Sequence, residues 1–255
     1  MGDKLYELMR EYYNDFLEKK ERISKIIVEP SFPIVWFGNT RRYFHSKIKV
    51  VTMGLNPSNS EFPDYNPELR FPGARVAYEQ GNMGRVCDSL NGYFDRTRAP
   101  YWKWFDAYER VLGSMKFGVT YGKCPTAENY AVHIDFFSAI ATDPTYGNLK
   151  RDEKRLLGNT ELFDKLFGYL TDNWDKPVII LFSTSKEEIC KHFKLSEKNM
   201  FYTASDRGIV RVEAFQVGNK FYIWGKPNIK PFHRVSDEVL EKSMDEICHL
   251  IGVIS

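Results

Sequence analysis

The chain has 255 residues, 43% of them hydrophobic and 27% charged, which suffices for one sizeable folded core and excludes long disordered segments. Its formal net charge of +2 is too small to indicate by itself a protein that binds nucleic acid. The four cysteines form no CxxC pair, so the sequence supports no zinc or iron–sulfur site, and no apolar run approaches the ~18 residues of a membrane span.

The first predicted elements are an amphipathic helix and a series of buried strands. Apolar residues recur at helical spacing over 4–27, and Pro30 ends this pattern. The run IKVVTM at 48–53 is short and mostly apolar, which is typical of a strand buried on both faces of a parallel sheet. Similar runs are YAVHIDFF at 130–137, VIILF at 178–182 and KFYIW at 220–224, and the last follows a predicted hairpin with 209–215.

Helical patterns alternate with these strands. Apolar residues over 156–170 predict an amphipathic helix between the second and third strands. Ser185 and Glu188 have capping-box spacing after the third strand, and Ser236 is positioned to cap a last helix. The alternation predicts an α/β fold with three layers, α/β/α, around a central, mostly parallel sheet of four strands.

The stretch at about 57–129 departs from this alternation. It is long, and Pro, Gly and Asn occur throughout it, so we interpret it as an insertion-rich segment. No repeat, low-complexity tract or linker divides the sequence. We therefore expect residues 1–255 to form a single domain.

The first buried strand runs directly into a GLNPSNS turn that begins at Gly54. Glycine permits a sharp turn and Pro57 fixes φ, so Asn56 is held rigidly at the carboxyl end of the strand. Asn-Pro also occurs in ordinary turns, and its position after a buried strand is what strengthens the signal. Ligands of such sheets bind beyond the carboxyl ends of the strands, which also indicates Asp135 and Ser183.

Three short motifs carry a family resemblance: GLNP at 54–57, VHID at 132–135 and FHRVS at 232–236. In order and placement, over about 200 residues to the C-terminus, the sequence resembles the uracil-DNA glycosylase superfamily. The resemblance implies a DNA-repair hydrolase that flips a base and cleaves its N-glycosidic bond without a metal or other cofactor. It makes Asn56 the catalytic residue that orients the attacking water, and His233 the donor to the leaving base. A surface histidine near a helix N-cap is the alternative for His233.

Two residues depart from the family pattern. Asp135 stands where the family often carries an Asn that reads the pyrimidine edge, and an ionised Asp can only accept hydrogen bonds. Three roles are open for Asp135. It can accept a hydrogen bond from an exocyclic amino group of the base, act as a catalytic base on the water, or cap the turn after its strand. Ser58 replaces the bulky Tyr of uracil-strict relatives and leaves room for a methyl or larger group. We therefore expect a modified or damaged base rather than strictly uracil.

Further residues are expected to bind the substrate. They are Gly54, Leu55, Pro57 and Ser58 in the turn and Ser183 at the end of the third strand. Phe71, and less well Phe62, is placed to stack on the base as in family members, although either ring also suits a hydrophobic core. Arg234 can hold a DNA phosphate, fill the gap left by a flipped base, or remain solvated.

The expected partner is DNA, single- or double-stranded, bound by a monomeric cytoplasmic protein that makes no membrane contact. The main alternative is a non-catalytic nucleic-acid-binding protein that retains the glycosylase fold. The modest net charge, Asp135 and the altered histidine loop keep this alternative open. A hydrolase of free nucleosides or nucleotides is a third interpretation. The sequence alone does not identify the excised base or distinguish DNA from RNA.

Overall fold

The computed structural model describes residues 2–95, 100–124 and 126–253, and these form a mixed α/β fold. Within these ranges seven strands form one sheet in the order β2-β3-β1-β4-β7-β6-β5. The strands are β1 (Lys49–Gly54), β2 (Val119–Thr120), β3 (Asn129–Asp135), β4 (Val178–Phe182), β5 (Met200–Asp206), β6 (Ile209–Val217) and β7 (Lys220–Gly225). The pairs β2/β3, β1/β4 and β4/β7 are parallel, whereas β6 is antiparallel to both β5 and β7.

The α/β class, the four buried strands and the hairpin are confirmed, but the predicted number of four strands is wrong. Every residue of β1 and β4 is buried, as the continuous apolar runs predict. The uncounted strands lie toward the sheet edges. β2 has only two residues, and β5 is half-exposed along its length, so neither carries a continuous apolar run. β6 was predicted only as the hairpin partner of β7.

Nine α-helices occur in the part of the chain that the structure describes. They are α1 (Gly2–Ile23), α2 (Thr40–His45), α3 (Ala74–Glu79), α4 (Met83–Asn91), α5 (Trp102–Ser114), α6 (Arg151–Leu157), α7 (Thr160–Thr171), α8 (Lys186–Phe193) and α9 (Asp237–Leu250). The N-terminal helix is confirmed, although it ends at Ile23 and continues as one 3₁₀ turn. None of the described helices is long and apolar enough to cross a membrane.

The helix ends show where local sequence rules hold and where they fail. The predicted helix over 156–170 is two helices, because Asn159 interrupts it and its side chain accepts from Leu162 N to begin α7. At Ser236 the predicted cap is confirmed, with Oγ accepting from the backbone N–H of Val239. The capping box at Ser185 is wrong. That residue has a left-handed φ of 49° and its side chain makes no capping hydrogen bond.

The chain divides into two compact units. The first contains Met1–Asn39, Gly54–Tyr101 and His133–Asp172, and the second contains Thr40–Met53, Trp102–Val132 and Asn173–Ser255. The first unit includes α1, α3, α4, α6 and α7, the end of β3 and the GLNPSNS turn. The second includes most of the sheet with α2, α5, α8 and α9. The single-domain assignment stays a prediction.

Candidate functional site

In the first unit, the turn that follows β1 is joined along its backbone to the loop that follows β3. The hydrogen bonds run from Phe136 N to Gly54 O (3.0 Å), Phe137 N to Leu55 O (2.9 Å), Thr142 N to Pro57 O (3.2 Å) and Asn59 N to Thr142 O (3.2 Å). These bonds satisfy backbone groups that strand ends otherwise leave unpaired. The two loops therefore form one ordered structure at the carboxyl ends of β1 and β3.

Gly54 allows the backbone to approach two buried side chains closely. A Cβ atom at this position would lie 2.3 Å from Asp135 Oδ1 and 2.8 Å from His133 Nε2, which is closer than van der Waals contact permits. The glycine of the GLNP motif is thus required by space and not by its backbone conformation, because its φ lies outside the left-handed region that favours glycine. Because glycine has no side chain, the turn can pack directly against the end of β3.

The Asn56 side chain has a fixed orientation. Its amide nitrogen Nδ2 donates to the carbonyl oxygen of Ile140 and to Thr142 Oγ1, each at 3.0 Å. Because a backbone carbonyl can only accept, the atom facing Ile140 must be the nitrogen. Both N–H groups are used, and Oδ1 accepts no hydrogen bond from any described residue. The residue is partly exposed, so Oδ1 is left as an oriented acceptor for a water or a substrate group.

His133 and Asp135 form a buried pair beside Gly54. Their side chains are 2% and 3% exposed, and His133 Nε2 lies 3.5 Å from Asp135 Oδ1. The histidine is held by two 2.9 Å backbone hydrogen bonds with Phe37, and its ring packs edge-on against the Phe37 ring. His133 was not singled out from the sequence. Its signal was the spacing of two residues along a strand, which places both side chains on one face.

A second buried acid lies in the same unit and was also not singled out from the sequence. Glu61 Oε2 accepts from Tyr93 OH at 2.6 Å and from Arg70 Nη1 at 3.0 Å. Burial raises the pKa of Glu61 to about 7, against the lowering effect of Arg70, and the charge of Asp135 adds to the increase. A single Glu between a serine and a phenylalanine in a loop shows no pattern that predicts burial.

The two phenylalanines proposed to stack on a base lie in the core of this unit. Phe62 is 2% and Phe71 0% exposed, and the Phe71 ring is stacked on Tyr93 at 5.1 Å. These contacts favour a place in the hydrophobic core for both rings, which was the alternative to stacking on a base. Of the other turn residues, Leu55 and Ser58 are partly exposed, and Ser58 Oγ accepts from the backbone N–H of Ser60.

The remaining predicted site residues belong to the second unit. Ser183 is 1% exposed, and its hydroxyl donates to Gly225 O and accepts from Phe232 N, so it ties the end of β4 to the chain after β7. This contact network accounts for Ser183 as a structural residue. His233 and Arg234 are exposed, and His233 lines a cavity in this unit.

No family model, no curated protein and no solved structure matches this chain. Within the described ranges, no group of three or more His, Cys, Asp or Glu side chains is arranged to hold a metal ion. The functional proposal therefore rests on the geometry of the first unit, where Asn56, His133 and Asp135 adjoin the turn at Gly54.

Proposed function

We propose that this protein is a DNA glycosylase, a hydrolase that excises a modified base by cleaving its N-glycosidic bond. The observation that carries the proposal is the Asn56 amide, whose nitrogen is held by two acceptors while its oxygen remains available. Buried Asp135 lies in the same unit at the end of β3, against Gly54 of the same turn. Together they supply two oxygen acceptors, one beyond the carboxyl end of β1 and one at the end of β3.

The chemistry of N-glycosidic cleavage needs such acceptors. As the bond breaks, the sugar becomes cationic and a water molecule adds to it, losing a proton. Asn56 Oδ1 accepts a hydrogen bond from that water and orients it. The proton that the water loses passes through solvent to the leaving base, and the Asp135 carboxylate accepts a hydrogen bond from the edge of the flipped base. His133, whose Nε2 lies 3.5 Å from Asp135 Oδ1, positions the carboxylate through this buried contact.

The arrangement of the motifs along the chain supports a glycosylase-like core. GLNP follows β1, VHID closes β3 at Asp135, and FHRVS directly precedes α9. We propose that β3, β1, β4 and β7 constitute the four-stranded, three-layer core of the uracil-DNA glycosylase fold, with β2 and the β5–β6 hairpin as additions to it. The insertion-rich segment at about 57–129 then supplies α3, α4 and α5.

The base that is excised differs from plain uracil. An ionised Asp135 cannot donate a hydrogen bond to uracil O4, whereas it accepts well from an exocyclic amino group. Ser58 is small and partly exposed, so it leaves space beside a 5-substituent. The proposed substrate class is therefore a modified or damaged base that carries an amino group or a bulky substituent.

The proposal is tested by incubating the protein with oligonucleotides, single- and double-stranded, that carry uracil, hypoxanthine, xanthine or bulky 5-substituted pyrimidines, and by measuring abasic sites. We expect excision of at least one modified base. Asn56→Ala lowers turnover by about 10²–10³, the effect of losing one preorganised polar group, with substrate binding nearly unchanged.

Asn59→Ala is the matched control, because Asn59 is in the same loop but its amide donates to Asp143 at 3.0 Å on the surface. It is expected to retain turnover within a few-fold of the parent protein. Equal loss of binding and turnover in Asn56→Ala would mean that Asn56 only shapes the turn. Binding of DNA without excision of any base would replace the enzyme by the non-catalytic nucleic-acid-binding alternative.

A further inference from the structure

A cavity of about 330 Å³ lies in the second unit, between α5 and the loop that precedes α9. Its charged and titratable lining residues are Asp106 and Arg110 from α5, Lys230 and His233 from the loop, and Asp237 at the start of α9. The volume falls within the range of about 300–1,000 Å³ that is usual for ligand sites. The cavity is made entirely within this unit, so it is a feature of one compact body.

The acidic residues of the cavity already have cationic partners. Asp237 Oδ1 lies 2.5 Å from Arg110 Nη1, and Asp106 Oδ1 lies 2.5 Å from Lys123 Nζ. Each carboxylate is therefore matched by one positive charge. Neither acid is left to attract a cation into the cavity.

Arg110 is also held in place by the loop. Its Nη2 donates to the carbonyl oxygen of Phe232 at 2.8 Å, and both terminal nitrogens contact the Val235 carbonyl at 3.2 Å. These bonds anchor the loop on α5 through both terminal nitrogens of the guanidinium. The wall that carries Lys230 and His233 is thus fixed rather than free to collapse into the cavity.

Lys230 and His233 are the basic groups that remain. Neither side chain makes an ion pair or hydrogen bond with any described residue, although the backbone N–H of His233 donates to Lys230 O. With the two carboxylates matched, Lys230 supplies a surplus positive charge and His233 a ring donor. An ammonium and a ring N–H that line the same cavity suit a tetrahedral oxyanion, and phosphate is the common one in biology.

We propose that this cavity binds a phosphate group of the nucleic-acid backbone, with Lys230 as the charge partner and His233 as a second donor. The assignment of the phosphate to nucleic acid rests on the proposed function. It gives His233 a role in holding the strand, in place of the donation to a leaving base that the family resemblance implies. Exposed Arg234 follows His233 directly in the chain but does not line the cavity.

The test compares Lys230→Ala with Lys226→Ala, a lysine of the same loop that does not line the cavity. Binding of an unmodified single-stranded oligonucleotide is measured by fluorescence anisotropy at several salt concentrations. Loss of one phosphate contact is expected to weaken binding about 5- to 10-fold at low salt and to reduce the slope of log K against log salt by about 0.7. Lys226→Ala should weaken binding less than about 2-fold, and equal effects of the two substitutions would overturn the proposal.

A second measurement uses inorganic phosphate alone. NMR of the histidine side chains should show a shift of His233 on titration but none of His249, an exposed histidine of the same unit that lies outside the cavity. A shift of His233 without any Lys230 effect on oligonucleotide binding would overturn the backbone assignment in favour of free phosphate. Abasic-site assays separate the two proposals. If Lys230→Ala weakens oligonucleotide binding but no base is excised, only the glycosylase proposal is refuted. If a base is excised and Lys230→Ala leaves binding unchanged, only the phosphate-binding role of the cavity is refuted.

Discussion

Glu61 provides the sharpest test of how the first unit is held together. This carboxyl is 4% exposed and accepts hydrogen bonds from Arg70 and Tyr93. Burial nevertheless raises its pKa from 4.5 to about 7, since the loss of water outweighs the favourable charge of Arg70. Replacing Glu61 by Gln keeps the shape and one acceptor oxygen while removing the titration.

The sign and size of the effect follow from proton binding. Between pH 4.5 and 7 the folded protein binds the Glu61 proton more tightly than the unfolded chain, so the free energy of unfolding falls as pH rises through this window. Each pKa unit corresponds to about 1.4 kcal/mol, and the increase to about 7 therefore amounts to about 3 kcal/mol at pH 8 relative to pH 4. Glu61→Gln does not lose this stability. Its free energy of unfolding relative to that of the parent protein therefore rises by the same amount between pH 4 and pH 8.

The measurement is urea unfolding of the parent protein and the variant at pH 4 and at pH 8. Glu79→Gln is the control, because Glu79 also pairs with an arginine, Arg75, but on the surface at 49% exposure. Its pH-dependent difference from the parent should stay under about 1 kcal/mol. If the stability difference between Glu61→Gln and the parent is constant with pH, or grows in the parent's favour at pH 8, Arg70 keeps Glu61 ionised and the reasoning about burial is wrong.

Three further substitutions have defined outcomes. Gly54→Ala forces a methyl group to 2.3 Å from Asp135 Oδ1 and should lower the free energy of unfolding by about 1–3 kcal/mol in urea titrations, so unchanged stability would contradict the close approach. Lys49→Met removes the ammonium that donates to the Phe44 and Ser46 carbonyls and should cost about 2–3 kcal/mol by the same assay, whereas a fully stable variant would refute that role. Asp135→Asn should raise uracil excision by roughly ten- to hundred-fold because an amide can donate to O4. Efficient uracil excision by the parent, with no gain in the variant, would show that Asp135 does not set the base preference.

Local patterns in the sequence were sufficient where a single element carries its own signal. The strands predicted at 48–53 and 178–182 correspond to β1 and β4, which are buried on both faces, and such burial leaves a nearly continuous apolar run in the sequence. The cap at Ser236 is likewise read from a side chain and a backbone group three residues apart. The capping box at Ser185 failed because the chain enters α8 there with a left-handed backbone, which no residue spacing reveals.

The sequence by itself determined the α/β class, the buried strands and the position of Asn56 at the end of β1. Only the tertiary structure decided what Asn56 can do, because its amide is oriented by Ile140 and Thr142, 84 and 86 residues further along the chain. Tertiary packing likewise buried Glu61 against Arg70. Such contacts depend on which loops the sheet order brings together, and side chains far apart in sequence become neighbours only when those loops meet.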